Sequence, residues 1–264
     1  MDKVVAGAAE AVADIPDGAS LAVGGFGPCG VPDALIRALL ATGSRDLEIV
    51  SNNCGYDDYG LGRLIVAGRI ARARCSYMMG GNSFERAFLN GRVEVELMPQ
   101  GTLAERLRAG GAGIPAFYTP AGIDTELAEG GLPLRYDGSG RVVAVSAPKE
   151  IRRFAGRAYL LENAITTDFA LVHAAVGDRH GNLAYAAAAR NFNPLCAAAA
   201  RVTIAEVESL VEPGVLDPDR VDTPGVLVSR VVHVGAGGKY VERRTTRPRG
   251  APATPAGAGS EGLS

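Results

Sequence analysis

The residues best placed to do chemistry lie in a bare loop near the N-terminus. Gly25-Phe26-Gly27-Pro28-Cys29-Gly30, preceded by Gly24, has the spacing Gly-x-Gly-x-x-Gly between an apolar run at 20–23 and a helix-like stretch at 32–40. Such a loop can aim backbone N–H groups and a helix N-terminus at a pyrophosphate, the chemistry of a dinucleotide site. Two features oppose that reading. The next strand ends in Asn52-Asn53, where a ribose hydroxyl needs an acidic residue. Pro28 also removes one backbone donor from the loop. A tight turn at positive φ explains some of the glycines. Their density points further, to a large ligand approaching the backbone closely.

Other polar residues carry weaker signals. Asn52 and Asn53 fall at the C-terminal end of an expected strand, the edge where open α/β sheets bind ligands. Asn-Asn-Cys-Gly also reads as a turn. Phe26 is either a core anchor or a ligand contact. His173, in the apolar run 169–176, reads as a core residue, and His180 as part of a solvated turn. Arg106 and Arg108 are either surface charges or phosphate partners. Glu162, in Leu161-Glu162-Asn163-Ala164, reads as part of an ordinary loop.

Cys29, Cys54, Cys75 and Cys196 are scattered with no Cys-x-x-Cys pair, so no metal site is expected. The 27 basic and 29 acidic residues give a net charge of -2, which offers no electrostatic case for nucleic acid or an anionic membrane. No signal-peptide pattern and no apolar stretch of about 18 residues is present, so a soluble, cytoplasmic protein is expected.

These groups need a scaffold. The 264 residues, 47% hydrophobic, suffice for one large α/β domain or two small ones. Helices are expected over 4–13, 32–40, 61–67 and 102–108, the last with Thr102 as N-cap and Glu105 closing a capping box. Strands are expected over 20–23, 46–50, 70–78, 93–98, 116–119, 169–176 and 201–207, with a hairpin excursion over 131–149. The alternation predicts an α/β fold, a mainly parallel sheet with helices on both faces. One domain spans 1–234. The segment 235–264, basic and then rich in Gly, Ala, Pro and Ser, is expected to be disordered.

Residues 17–32, from Asp17-Gly18 through Gly24-Gly25-Phe26-Gly27-Pro28-Cys29-Gly30-Val31-Pro32, resemble the first-subunit signature of family I coenzyme A transferases. The resemblance continues through Val50-Ser51-Asn52-Asn53, Gly60-Leu61-Gly62, residues 99–119, Ala189-Arg190-Asn191-Phe192-Asn193 and Ala205-Glu206-Val207-Glu208. Residues 99–119 are similar to the succinyl-CoA:3-oxoacid type.

The resemblance implies the CoA-transferase fold and ping-pong transfer of CoA between carboxylic acids through a glutamyl-CoA thioester. The nucleophilic Glu of the family lies in a Ser-Glu-Asn-Gly stretch of the second subunit. Glu162 lacks that Ser and Gly, so an obligate second CoA-transferase subunit is implied as partner, with two copies of each subunit in a heterotetramer. Gln100 stands where the family places an active-site Gln. Gly24, Gly25, Phe26, Gly27, Gly30, Asn52 and Asn53 are implied to line the substrate and CoA site. No permanent cofactor is implied; the CoA thioester is a substrate.

The chain departs from the family at Met79-Gly80-Gly81 and at Ala186-Ala187-Ala188, where polar residues are usual. The acceptor 3-oxoadipate, a CoA-thioester hydrolase, a C–C cleaving relative and a non-catalytic binding subunit are the rival readings.

Overall fold

The computed structural model describes residues 1–237 and Tyr240. The remainder of the tail that the sequence marks as disordered lies outside the described residues.

The chain enters through a short helix, α1 (Ala8–Ala11), and then alternates. The order is β1 (Ser20–Val23), α2 (Asp33–Thr42), β2 (Leu47–Val50), α3 (Gly62–Val66), β3 (Ile70–Cys75), α4 (Ser83–Leu89), β4 (Glu94–Leu97) and α5 (Gln100–Gly111). An antiparallel excursion follows: β5 (Ala116–Thr119), α6 (Glu126–Glu129), β6 (Pro133–Tyr136), β7 (Val142–Val145), β8 (Ile151–Phe154) and β9 (Arg157–Asn163). The chain returns through β10 (Thr167–Asp178), β11 (Leu183–Ala184), α7 (Asn193–Ala199), β12 (Ala200–Val211) and β13 (Arg230–His233).

The large sheet has the order β13-β12-β10-β1-β2-β3-β4, all parallel, with β11 antiparallel on β10. Strand order reverses between β1 and β10, the position where ligands bind in open α/β sheets. Helices cover both faces, as the alternation predicts. One core packs Leu21, Val23, Ile49 and Ala73 against α1 to α4. The other packs Ala22, Val50, Ala170 and Val172 against α5 and α7. Residues 131–149 contain the expected hairpin, β6 against β7.

Three expectations need correction. Only 8–11 of the expected helix 4–13 is helical. Val5 N–H donates to Val231 O at 3.0 Å and Val231 N–H to Lys3 O at 2.9 Å. The first residues satisfy the open edge of β13 instead of coiling. Thr102 is not an N-cap. Leu103 N–H already donates to the Pro99 carbonyl at 3.0 Å, so the helix starts earlier. Thr102 is buried within it, and Glu105 pairs with Arg108 instead. Glu162 is not in a loop: it lies on β9, only 2% exposed.

Arg106 is neither a surface charge nor a phosphate partner. It donates to Glu96 at 2.7 Å and to the Asn163 carbonyl at 2.7 Å, with Glu162 at 3.9 Å. Lys149 holds the other side of Glu162. The series continues across the sheet as Glu96–Arg74–Glu48–Arg72–Glu94. Cation and carboxylate alternate, so neither sign is stacked on itself, and α5 is tied to both β4 and β9. Removing one partner of a buried pair strands the other. Arg106→Ala is expected to destabilise the fold by about 3 kcal/mol in chemical denaturation, far more than Arg108→Ala on the exposed face of the same helix.

Candidate active site

Successive parallel strands end at one edge of the sheet, and the groups singled out in the sequence meet there. Phe26 and Cys29 exchange both backbone hydrogen bonds, at 3.0 and 3.1 Å, across Gly27-Pro28. The loop is therefore a two-residue hairpin with Gly27 at φ 55°, a position only glycine fills at little cost. Phe26 is 49% exposed, which decides against a core anchor.

β2 ends in Ser51-Asn52-Asn53. Ser51 Oγ donates back to the Val23 carbonyl at 2.8 Å, fastening the ends of β1 and β2 together. Gln100, at the start of α5, donates through Nε2 to Asn52 Oδ1 at 2.7 Å. Ser76 Oγ donates to the same oxygen at 2.8 Å. Asn52 Nδ2 donates to Asn53 Oδ1 at 3.0 Å, which also accepts the Gly27 N–H at 2.9 Å. One continuous chain of amides thus joins Gln100, Asn52, Asn53 and the glycine loop. Asn52 is buried; Gln100 is exposed. The bond to Asn52 fixes the plane of the Gln100 amide and leaves its second N–H and its carbonyl oxygen for a ligand.

The other side of the loop is held by two asparagines whose roles no sequence pattern revealed. Asn191 accepts the Gly25 N–H at 3.1 Å and donates to the Cys29 carbonyl at 3.1 Å. Asn193 is fully buried. Its Oδ1 accepts the His173 N–H at 2.9 Å, and its Nδ2 donates to the carbonyls of Gly30 and Ala189 at 3.0 and 2.9 Å. A Cβ on Gly24 would fall 1.8 Å from Asn193 Oδ1, and one on Gly30 would fall 2.5 Å from the Ala189 carbonyl oxygen. A Cβ on Gly25 would meet Val31, whereas one on Gly27 would meet open space. Only Gly27, of the four glycines, is bare toward solvent. The rest make room for the protein itself.

The backbone donors of the loop decide against a dinucleotide site. Gly24 N–H is donated to Leu171, Gly25 to Asn191, Phe26 to Cys29, Gly27 to Asn53 and Cys29 to Phe26; Pro28 has none. The donors that would cradle a pyrophosphate are committed inside the protein, so the resemblance to a phosphate loop is one of spacing.

The departures from the family have local explanations. Asn82 caps α4 by accepting the Glu85 N–H at 3.1 Å, and Glu85 reaches back to the Gly81 N–H. Asp57 accepts the Ser83 N–H at 3.0 Å, tying the loop after β2 to α4; hydrogen bonds from Ser83 hold its carboxyl below the usual carboxylate range. Ala187–Arg190 forms a single tight turn that presents the Ala189 carbonyl to Asn193. His180 lies in a turn anchored by Asp178, as its composition implies. Burial pushes the Cys75 and Cys196 thiols up to about 12 and Cys54 well above its ordinary range, so these three are inert.

Comparison with known proteins agrees with this geometry. Residues 5–234 match the family described as Coenzyme A transferase. A protein of Mycobacterium tuberculosis (strain ATCC 25618 / H37Rv), named as the first of the two subunits of a probable succinyl-CoA:3-ketoacid coenzyme A transferase, is 65% identical over 247 residues. The match covers 94% of this chain and 100% of that protein. Among solved structures, the acyl-CoA transferase YdiF of E. coli O157:H7, in a thioester complex with CoA, superposes with a TM-score of 0.74 at 26% identity. That match covers 88% of this chain and 47% of YdiF. The decarboxylase AibA/AibB superposes with a TM-score of 0.69 at 30% identity, over 89% of this chain and 84% of that one. The chain belongs to the coenzyme A transferase family. Among the described residues, no helix is long and apolar enough to cross a membrane.

The packing of Gly24 against Asn193 can be tested by itself. Gly24→Ala is expected to destabilise the protein by about 2 kcal/mol through overpacking. Combined with Asn193→Ala, which removes the colliding oxygen, the two effects should sum to less than their separate costs in a double-mutant cycle.

Proposed function

We propose that this chain is the first subunit of a heteromeric succinyl-CoA:3-oxoacid CoA-transferase. It contributes positioned amides to a site whose nucleophile, a glutamate, comes from the second subunit. The chain of hydrogen bonds from Gln100 through Asn52 and Asn53 to Gly27, at the ligand-binding edge of the sheet, carries this reading.

The chemistry asks for two kinds of group. A carboxylate must open the thioester, and donors must meet the oxyanion that develops on its carbonyl carbon. In the proposed sequence the glutamate of the second subunit attacks succinyl-CoA and expels CoA thiolate, leaving a glutamyl–succinyl anhydride. The thiolate attacks the glutamyl carbonyl and releases succinate, giving glutamyl-CoA. The carboxylate of the 3-oxoacid then attacks this thioester, and the same two steps run in the other direction. Each attack passes through a tetrahedral oxyanion, and Gln100 Nε2 offers its second N–H there. A donor that is already oriented costs no reorganisation at that moment. Gly27 is the open point of the loop, where CoA can approach the backbone, and exposed Phe26 flanks it.

This chain's own Glu162 is a poor nucleophile, being buried and held between Lys149 and Arg106. That supports a partner-supplied carboxylate. Exposed Val143, Val145, Ile151 and Phe154 on the excursion strands support a chain that works in an assembly, with a heterotetramer of two copies of each subunit as the proposed form. The dicarboxylate acceptor 3-oxoadipate remains the nearest alternative within this chemistry.

CoA transfer from succinyl-CoA to acetoacetate, by this chain alone and co-expressed with the second subunit, tests the reading. Activity is expected only in the mixture, with parallel lines in a two-substrate plot. Transfer by the isolated chain, or a stable complex that only hydrolyses or decarboxylates its substrates, overturns it. Gln100→Ala in the complex is expected to lower kcat about a hundredfold with little change in stability.

A further inference from the structure

His173 lies on β10, one strand beyond the glycine loop, beside a cavity of about 330 Å³ that also meets Asp33, Arg37, Arg63, Glu206 and Glu208. Its Nδ1 is 2.8 Å from Glu206 Oε1 and its Nε2 is 2.9 Å from Glu208 Oε1. An ionised carboxylate only accepts hydrogen bonds, and a neutral imidazole donates from one nitrogen alone. Both contacts are satisfied together only when both ring nitrogens carry a proton. The geometry therefore describes an imidazolium between two carboxylates.

This group sits in a closed circuit around the glycine loop. Glu206 uses its second oxygen to accept the Leu35 N–H at 2.9 Å, satisfying a donor that the first turn of α2 leaves open. α2 begins directly after the loop, with Asp33 in its first turn. The exit of the loop, the Gly30 carbonyl, is held by Asn193, and Asn193 is held by the backbone N–H of His173. From His173 the path runs through Glu206, the start of α2, Gly30 and Asn193 and returns to His173.

We propose that His173 is a positioning residue for the transfer site: as the imidazolium it clamps the start of α2, and thereby the glycine loop, and its deprotonation releases that clamp and sets an alkaline limit on activity. The inference rests on the function proposed above.

The neighbouring charges leave this role to His173. On α2 and α3, Asp33 is matched by Arg37 at 3.2 Å and Arg63 at 3.5 Å. On β12 stand Glu206 and Glu208, and the Glu208 backbone carbonyl lies 3.2 Å from His233 Nε2. Tyr59 and Tyr240 complete the lining. Burial of the ring favours its neutral form, but the hydrogen bonds and charges of Glu206 and Glu208 outweigh it and raise the His173 pKa above the ordinary imidazole value. A histidine raised on folding adds stability that is complete below its unfolded pKa of roughly 6.5 and is lost as pH rises through the folded value.

The test uses the co-expressed complex with His173→Lys and His173→Gln, kcat and KM measured across pH, and the thermal midpoint of this chain in the same buffers. Lys stays charged over this range; Gln never is. Wild type is expected to lose kcat and thermal midpoint together along an alkaline limb, and His173→Lys to carry that limb to higher pH. His173→Gln should have kcat about tenfold lower at neutral pH, the scale of a slightly misplaced catalytic group, with the limb gone. An unchanged limb in His173→Lys, or a wild-type profile in His173→Gln, overturns the proposal. Nitrogen-15 NMR of the imidazole, read on the wild-type complex, separates this from failure of the functional reading. If the complex transfers no CoA, a ring protonated on both nitrogens at pH 7 that loses its proton together with thermal stability still supports the clamp. A ring neutral at pH 7 overturns it whatever the activity.

Discussion

A side-chain amide with no access to water must find its hydrogen bonds inside the protein or forfeit a kcal/mol or more for each one missing. Asn193 is such a group, and much of the site follows from satisfying it. Its oxygen reaches the His173 N–H on β10, and its nitrogen reaches the carbonyls of Gly30 and Ala189. Those bonds draw the turn before α7 against the glycine loop so closely that positions 24 and 30 have no space for a side chain. With Asn191 holding Gly25 and Cys29 from the same side, the loop is gripped at four residues before any ligand arrives. A ligand therefore meets a surface already built, which is the state that lowers the cost of binding and of reaction alike.

Much of this scaffold is legible in the sequence. The run Ser-Leu-Ala-Val, bounded by an Asp-Gly turn and glycines, reads as a buried strand and is one. The excursion over 131–149 reads as a hairpin because its short β-branched runs are separated by Asp-Gly-Ser-Gly. Local chemistry decides such elements. The helix over 83–89 carries a local signal too, Asn82 with Glu85 three residues on, but the glycines and Met before it obscure the apolar spacing. The helix beginning at Asn193 opens with Pro194, an N-terminal signal, but its alanines give no amphipathic contrast.

What the sequence could not reveal is pairing at a distance. Asn52 and Asn53 could be placed at a strand end, and Gln100 by resemblance, but no spacing says that Gln100 and Asn52 share a hydrogen bond across 48 positions. Asn191 and Asn193 act on glycines more than 160 residues earlier. The alternation Arg72-Ala73-Arg74-Cys75 marks a strand with one charged face, yet the carboxylates that neutralise it come from β2 and β4. Glycine density was legible and its reason was not: bareness toward a ligand and bareness toward an asparagine look the same in one dimension.

The division of labour between amides and charges follows from what each costs when buried. The charged residues at the sheet face are spent on one another, in a ladder running from Arg72 to Lys149 that ties α5 to β4 and β9. Gln100 sits at the N-terminus of that same helix, so the ladder fixes the backbone from which its side chain extends. The site itself is lined with neutral amides. Neutral donors can stand ready at the edge of a sheet without altering their protonation, and they stabilise an oxyanion without neutralising the carboxylate that must attack. A chain that supplied both the oriented donors and an exposed, unpaired carboxylate would have to keep the two apart before substrate arrives. Placing the carboxylate on a second chain removes that conflict, which is a physical reason for this fold to work as half of a site.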